Sequence, residues 1–296
     1  MSKNRFNNLL RLSIERKNLI TRKSFFLRLI SNLDMLIQTI LCFILTKLNS
    51  HIMLRTRTFW GKKMNVILPE VVSADIRRFG FIEDSVASFI INYVSEGDCV
   101  MDIGAHFGFF SLLMAELVGK KGTVHSFEPT PSTFLVLKKN IQFEKNIFIN
   151  MNAIWNEQTE IQLNDYGLSS SAFNSIHESR DKKNYAKASK IKIKAKTLRL
   201  DDYVKENQIV PKLIKIDAES AEYQVLQGMD HILSNMNPLI CIELGDLGIS
   251  DVISSKKIIE FLINNYSYKP YEIKDGKLYV HKIKKYYGYT NLFFKK

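Results

Sequence analysis

Apolar and polar positions along the 296-residue chain fall into blocks whose period changes at Gly, Pro and acidic punctuation. Residues 1–24 set Leu and Ile among Arg5, Arg11, Arg16, Lys17, Arg22 and Lys23. From Phe25 to Leu48 the chain turns strongly apolar. There Arg28, Ser31, Asp34, Gln38, Cys42 and Thr46 recur on one narrow polar stripe, which predicts an amphipathic helix. Residues 54–69 read as a connector. A helix pattern then runs to Val94, and a turn at Glu96-Gly97-Asp98 leads into the short apolar run Cys99-Val100-Met101. A fully apolar helix pattern covers Phe109 to Val118, and a second short strand covers Thr123 to Phe127. Pro129 to Ser132 cap a helix over Thr133 to Asn140. Asn146 to Trp155 reads as a third strand. Glu160 to Leu163 and Ser189 to Thr197 alternate as a hairpin would, with the Ser-rich loop Gly167 to Asn184 between them, long enough to be a lid. A strand from Pro211 to Asp217, a helix from Ala218 to Gly228 and a strand from Leu239 to Glu243 follow. A helix from Ser254 to Asn265 and strands within 268–280 and 291–294 complete the set. Strands alternating with helices predict an α/β protein with a parallel sheet.

Four predicted strands deliver an acid at their ends: Asp102, Glu128, Asp217 and Glu243. In an open parallel sheet those ends line the ligand crevice. Gly104 and Gly108 let the backbone turn sharply and approach a ligand, and Glu128 can accept two hydrogen bonds from a ribose diol. The third glycine of the dinucleotide fingerprint is missing from Gly104-Ala105-His106-Phe107-Gly108. Asp102 would repel a pyrophosphate, which counts against a dinucleotide oxidoreductase. An acidic first loop suits a cofactor with an ammonium group and a sulfonium, S-adenosylmethionine. Asp217 and Glu243 could hold a hard cation, but no motif requires one and no metal is expected.

Charge changes the picture of the first 63 residues. They hold 13 Lys and Arg against Glu15 and Asp34, a net +11, whereas residues 64–296 hold 29 against 28, a net +1. The near-neutral second part fits poorly with a nucleic-acid partner. The basic arm is read either as an interfacial helix, with residues 1–48 resting on anionic lipid, or as a helix that packs on the domain or forms a homodimer contact. Its longest charge-free run, Met35 to Thr46, is about half of the roughly 20 residues a spanning helix needs. No small-residue cleavage site follows, so a cytoplasmic protein is expected, with a peripheral seat on the inner membrane face left open. Cys42, Cys99 and Cys241 sit singly in apolar runs and read as reduced thiols. Abundant Asn, Ile and Lys point to an AT-rich bacterial genome.

The runs Asp102-Ile103-Gly104-Ala105-His106-Phe107-Gly108, Phe127-Glu128-Pro129, Lys215-Ile216-Asp217-Ala218-Glu219-Ser220-Ala221-Glu222 and Ile242-Glu243 resemble the FkbM-type methyltransferases over about residues 70–296. Gly80-Phe81-Ile82-Glu83 and Asn152-Ala153 resemble the flanking motifs of that family. The resemblance implies a class I methyltransferase domain over 64–296, with a Rossmann-like, seven-stranded, mostly parallel sheet behind a helical extension over 1–63. It implies S-adenosylmethionine and O-methylation of a small-molecule, sugar or glycan acceptor in polysaccharide or natural-product biosynthesis. By it Glu83, Asp102, Gly104, Ala105, His106, Gly108, Glu128, Asn152 and Asp217 would hold the cofactor. Glu219, Glu222 and Glu243 would face the acceptor, and Asp217, Glu219 and His106, in that order, are candidate bases. Each has a plainer reading: Asp217 capping the next helix, Glu222 pairing with Lys215, His106 as a loop contact. His106 stands where the family usually has Asn, and Ser220 where it has Gly. Two other functions stay open: a protein or nucleic-acid methyltransferase, and a non-catalytic cofactor-binding component of a glycan assembly complex. The Asn/Asp-Pro-Pro-aromatic signature of amino-group methylation is absent at Asp217-Ala218-Glu219-Ser220.

Overall fold

A computed structural model describes residues 1–22, 32–176, 190–246, 252–274 and 277–296. Parts of two expected segments, residues 25–31 of the apolar run and 177–184 of the Ser-rich loop, lie outside the described residues.

Two helices open the chain, α1 (Lys3–Thr21) and α2 (Leu33–Lys47), and the antiparallel hairpin β1 (Ile52–Arg57) and β2 (Lys63–Leu68) follows. Residues 54–69 are therefore not a plain connector. Alternation in Met64-Asn65-Val66 lets β2 bury Met64 and Val66 in the main core. Helices α3 (Val71–Phe79) and α4 (Asp84–Tyr93) come next. Glu70 caps α3 by accepting from the N–H groups of Val72 and Ser73, and Gly80 ends it at φ +82°.

The sheet then builds in alternation: β3 (Cys99–Ile103), α5 (Phe109–Val118), β4 (Thr123–Phe127), α6 (Pro131–Ile141) and β5 (Ile147–Asn150). The expected third strand stops at Asn150; Ala153–Ile154 forms a separate short strand, β6, beside the hairpin β7 (Glu160–Asp165) and β8 (Ile191–Leu198). After α7 (Leu200–Glu206) come β9 (Leu213–Ile216), α8 (Glu222–Gln227), β10 (Leu239–Leu244), α9 (Ser255–Tyr266), β11 (Lys269–Lys274), β12 (Lys277–Val280) and β13 (Thr290–Lys295).

The large sheet runs β12-β11-β13-β10-β9-β3-β4-β5. Strands β5, β4, β3, β9 and β10 are parallel, and β13 slots in antiparallel between β10 and β11. Seven strands were expected; the eighth, β12, is an edge strand hairpinned onto β11. This is a class I methyltransferase-like α/β sheet, with its topological switch point between β3 and β9.

Successive residues of β3 serve opposite layers. Val100 joins the core that holds α4 and α5, and Met101 joins the one that holds α7, α8 and α9. A parallel strand covered on both faces needs such continuous apolar runs. Phe6 and Leu10 of α1 are buried in the first of these cores, where Phe6 meets Phe59 and Trp60. Leu45 of α2 contacts Leu68 and Ala74 in a small cluster of its own.

Candidate active site

At the carboxyl end of β3 the backbone turns through Gly104 at φ +79°, a region that favours glycine. A Cβ there would lie 1.8 Å from the carbonyl oxygen of Asp217, so the ends of β3 and β9 meet backbone to backbone. The N–H groups of Gly104 and Ala105 both donate to the carbonyl of Phe127 at the end of β4. Three neighbouring strand ends are thus clamped at the switch point. Gly108, at φ +89°, does a packing job instead: its Cβ would press on Leu137 at 2.6 Å, and it does not line the cavity.

The cavity at this edge measures about 1130 Å³, counting the open space at its mouth. Asp102, Gly104, Ala105, His106, Glu128, Asn152, Asp217, Glu219 and, from before β3, Glu83 all line it. Asp102 is buried. Its Oδ2 accepts from Ser111 at 2.6 Å, while Oδ1 has no hydrogen-bond partner among the described residues, and burial raises its carboxyl. Glu128 accepts from the N–H of Thr130 on Oε1 and of His106 on Oε2, both at 3.0 Å. Burial outweighs these bonds and pushes its carboxyl up to about 7.

The cavity is also lined by a group that sequence reasoning missed as a site residue. Lys215 is 2% exposed, in the middle of the apolar strand Leu213-Ile214-Lys215-Ile216. Its Nζ donates to Asp217 Oδ2 at 2.8 Å and lies 4.8 Å from the centroid of the Phe110 ring. Burial opposes its charge, but Asp217, Glu83 and Asp102 outweigh burial and hold the ammonium well above its ordinary value. A lysine inside a strand otherwise built for burial was the available signal. Glu83 is raised by burial and accepts from Asn291 of β13 at 3.0 Å, tying the site to the inserted antiparallel strand.

Asp217, Glu219 and Glu243 bring carboxyl oxygens within 4.8 Å of one another. Burial, then Asp217 and Glu219, push Glu243 well above the usual carboxylate range. Of the three, Glu243 does not line the cavity. Glu222 does not line it either. Its Oε1 accepts from the N–H groups of Ala218 and Ser220 and holds the turn that leads into α8. That turn explains why α8 begins at Glu222 and not at Ala218: Glu219 (φ +47°) and Ser220 (φ +80°) are left-handed. Asp217 is engaged by Lys215, the partner that the sequence reading had offered to Glu222.

The described part of the Ser-rich loop lines the cavity through Ser171, Ala172, Asn174, Ser175 and Ile176. His106 Nε2 and Ser171 Oγ share a hydrogen bond at 2.8 Å, and Ser175 Oγ donates to the carbonyl of Glu219 at 2.6 Å. Burial lowers His106 to about 4, leaving it neutral. His106 is also left-handed, at φ +50°. Both positions where the family resemblance leads one to expect Asn or Gly therefore have a conformation that those two residues adopt most easily.

The sequence model of the methyltransferase FkbM domain matches residues 102–270. Methyltransferase 1 of Beauveria bassiana is 24% identical over 198 residues, 59% of this chain and 77% of that protein. Hexuronic acid methyltransferase AglP of Haloferax volcanii is 26% identical over 162 residues, 53% of this chain and 61% of AglP. The crystal structure of methyltransferase FkbM from Methylobacillus flagellatus KT aligns with a TM-score of 0.44 at 14% identity, over 68% of this chain and 44% of that one. The domain match spans more than half of the sequence, so the chain belongs to the FkbM methyltransferase family, and its cofactor is S-adenosyl-L-methionine.

Proposed function

We propose that the chain transfers a methyl group to a hydroxyl of a sugar, a glycan or a related natural product. The observation that carries this reading is the acid cluster of Asp217, Glu219 and Glu243, of which Asp217 and Glu219 line the cavity. Carboxyl oxygens accept hydroxyl hydrogens and repel phosphates, so a hydroxyl-rich acceptor suits them and a nucleic-acid backbone does not. The likeness to a protein named for a hexuronic acid supports a sugar acceptor.

The residues present fit the cofactor. Asp102 Oδ1 is a buried oxygen with no partner among the described residues, suited to the ammonium of an amino-acid tail. Each oxygen of Glu128 takes one backbone N–H and keeps accepting capacity for a ribose hydroxyl. Asn152 would lie toward the base, and Gly104 keeps the first turn free of a Cβ. When bound, S-adenosylmethionine supplies a methyl group on a sulfonium that is already a good leaving group. What remains for the chain is alignment, exclusion of water and one proton. The capping loop, held through Ser171 and Ser175, excludes water. Asp217, held by Lys215 at 2.8 Å, takes the proton of the acceptor hydroxyl. Neutral His106, already bonded to Ser171, positions the cap.

The test is transfer of label from S-adenosylmethionine to a fractionated cell extract. Label in carbohydrate or glycolipid is the expected result; label in protein or RNA overturns the acceptor class. With a sugar acceptor in hand, Asp217→Asn should lower turnover about 10²-fold or more while cofactor affinity stays within about twofold. An equal loss of cofactor affinity would move Asp217 to the cofactor side.

A further inference from the structure

Helix α2 sits on the rest of the chain with its polar side inward. Gln38 is buried; its Nε2 donates to the carbonyl of Ala74 at 3.0 Å, and its Oε1 accepts from Arg77 at 2.8 Å. Asp34, the one acid of the helix, takes both terminal nitrogens of the same guanidinium at 3.1 and 2.8 Å. Leu41, Cys42 and Leu45 close this contact against Leu68 and Ala74. The other face carries Leu33, Ile37, Ile40, Phe43, Ile44 and Leu48, each between 45% and 69% exposed. Their spacing makes one continuous apolar stripe along the helix. A stripe of this kind on a soluble surface marks a site of contact.

We infer that this face seats the chain on a bilayer rich in anionic phospholipid. Charge decides between the possible occupants. The segment 1–63 carries a net +11, and α1 leaves Arg5, Arg11, Arg16 and Arg22 in solvent. Arg77 neutralises the acid of α2, and Lys47 lies 5.6 Å from the Phe43 ring at the end of the stripe. A second copy on the same face would bring +11 against +11. An anionic lipid surface attracts the same charge while its acyl boundary takes the apolar side chains. The exposed stripe is aliphatic and aromatic, with no hydrogen-bonding group for a patterned protein surface to read. No helix among the described residues is long and apolar enough to cross a membrane; α2, held along its polar side by Ala74 and Arg77, would lie along the surface. This inference does not depend on the acceptor proposed above.

Vesicle sedimentation of the full chain tests it. The chain is expected to sediment with phosphatidylglycerol-rich vesicles, not with phosphatidylcholine alone, and to be released by salt. The variant I37D/I40D/I44D should bind those vesicles at least about tenfold more weakly while keeping the melting temperature and cofactor affinity of the parent. A second variant, R11Q/R16Q, leaves the apolar face intact and should lose part of the preference for anionic lipid. No sedimentation, or equal sedimentation of parent and triple variant, overturns the proposal. A lipid-free dimer that the triple variant converts to monomer overturns it too and names a second copy as the occupant.

Discussion

Two regions of this molecule break the same rule in opposite directions. At the ends of β3, β4 and β9 the fold buries charge: Asp102, Glu128 and Lys215 lie inside it. Along α2 it exposes apolar side chains and buries a glutamine. Soluble proteins ordinarily do neither. Lys215 offsets Asp102, the N–H groups of His106 and Thr130 hold Glu128, and Asp102 Oδ1 is left without a hydrogen-bond partner among the described residues. The exposed apolar stripe has no partner within the described residues. A departure from the burial rule that is internally compensated marks a preorganised site, and one that is not marks a surface awaiting something else.

The largest test of this contrast removes the compensation. Lys215→Ala leaves Asp102, Asp217 and Glu83 without their cation and is expected to destabilise the fold by about 3–5 kcal/mol in denaturant unfolding. A cost below about 1 kcal/mol would mean that water already reaches these groups. The next effect is a pH dependence at Glu128. Its carboxyl, pushed up to about 7 by burial, holds a proton below that pH, and a cofactor with a sulfonium and ribose hydroxyls binds better to the carboxylate. Cofactor affinity should therefore rise with pH, by about tenfold between pH 6 and pH 8 in calorimetric titration. Glu128→Gln should bind more weakly and show no slope over that window; an unchanged slope would assign the proton elsewhere. Glu70, also pushed up to about 7, caps α3 outside the cavity and serves as the control residue. The smallest effect separates strain from charge. Ser220→Gly relieves a left-handed residue at φ +80° and should stabilise the fold by about 1 kcal/mol, roughly 2 °C in melting temperature. Ser220→Ala, which keeps the Cβ, should give no such gain.

Much of the cavity was legible because it is built from local rules. Asp102, Glu128 and Asp217 are where strand periodicity ends in an acid, and Gly104 is where a turn must begin. The β7–β8 hairpin followed from alternation alone. What stayed illegible depends on partners or on backbone sign. Nothing in the residue type Glu says that Glu222 folds back on the turn at Ser220 while Glu219 lines the cavity. His and Ser rarely take positive φ, so the left-handed turns at His106 and Ser220 were hidden, and with them the true start of α8. Lys215 was readable as an anomaly in an apolar strand, but its three acidic neighbours come from β3, from the end of β9 and from the segment before α4. For α2 the period showed which residues share a face, not which face turns inward; that was decided by Arg77, more than thirty positions along the chain.

Helix α3 touches both regions from opposite sides. Val72 and Ile76 line the cavity, while Ala74 and Arg77 hold α2. A helix with its side chains is about 10–12 Å across, so about two helix diameters, those of α2 and α3, separate the exposed stripe from the cavity wall. On a lipid surface that closeness sets the dimensionality of the search. An acceptor tethered to the same leaflet would find the opening by lateral diffusion, at a rate governed by its number per unit area and not by its concentration in solution.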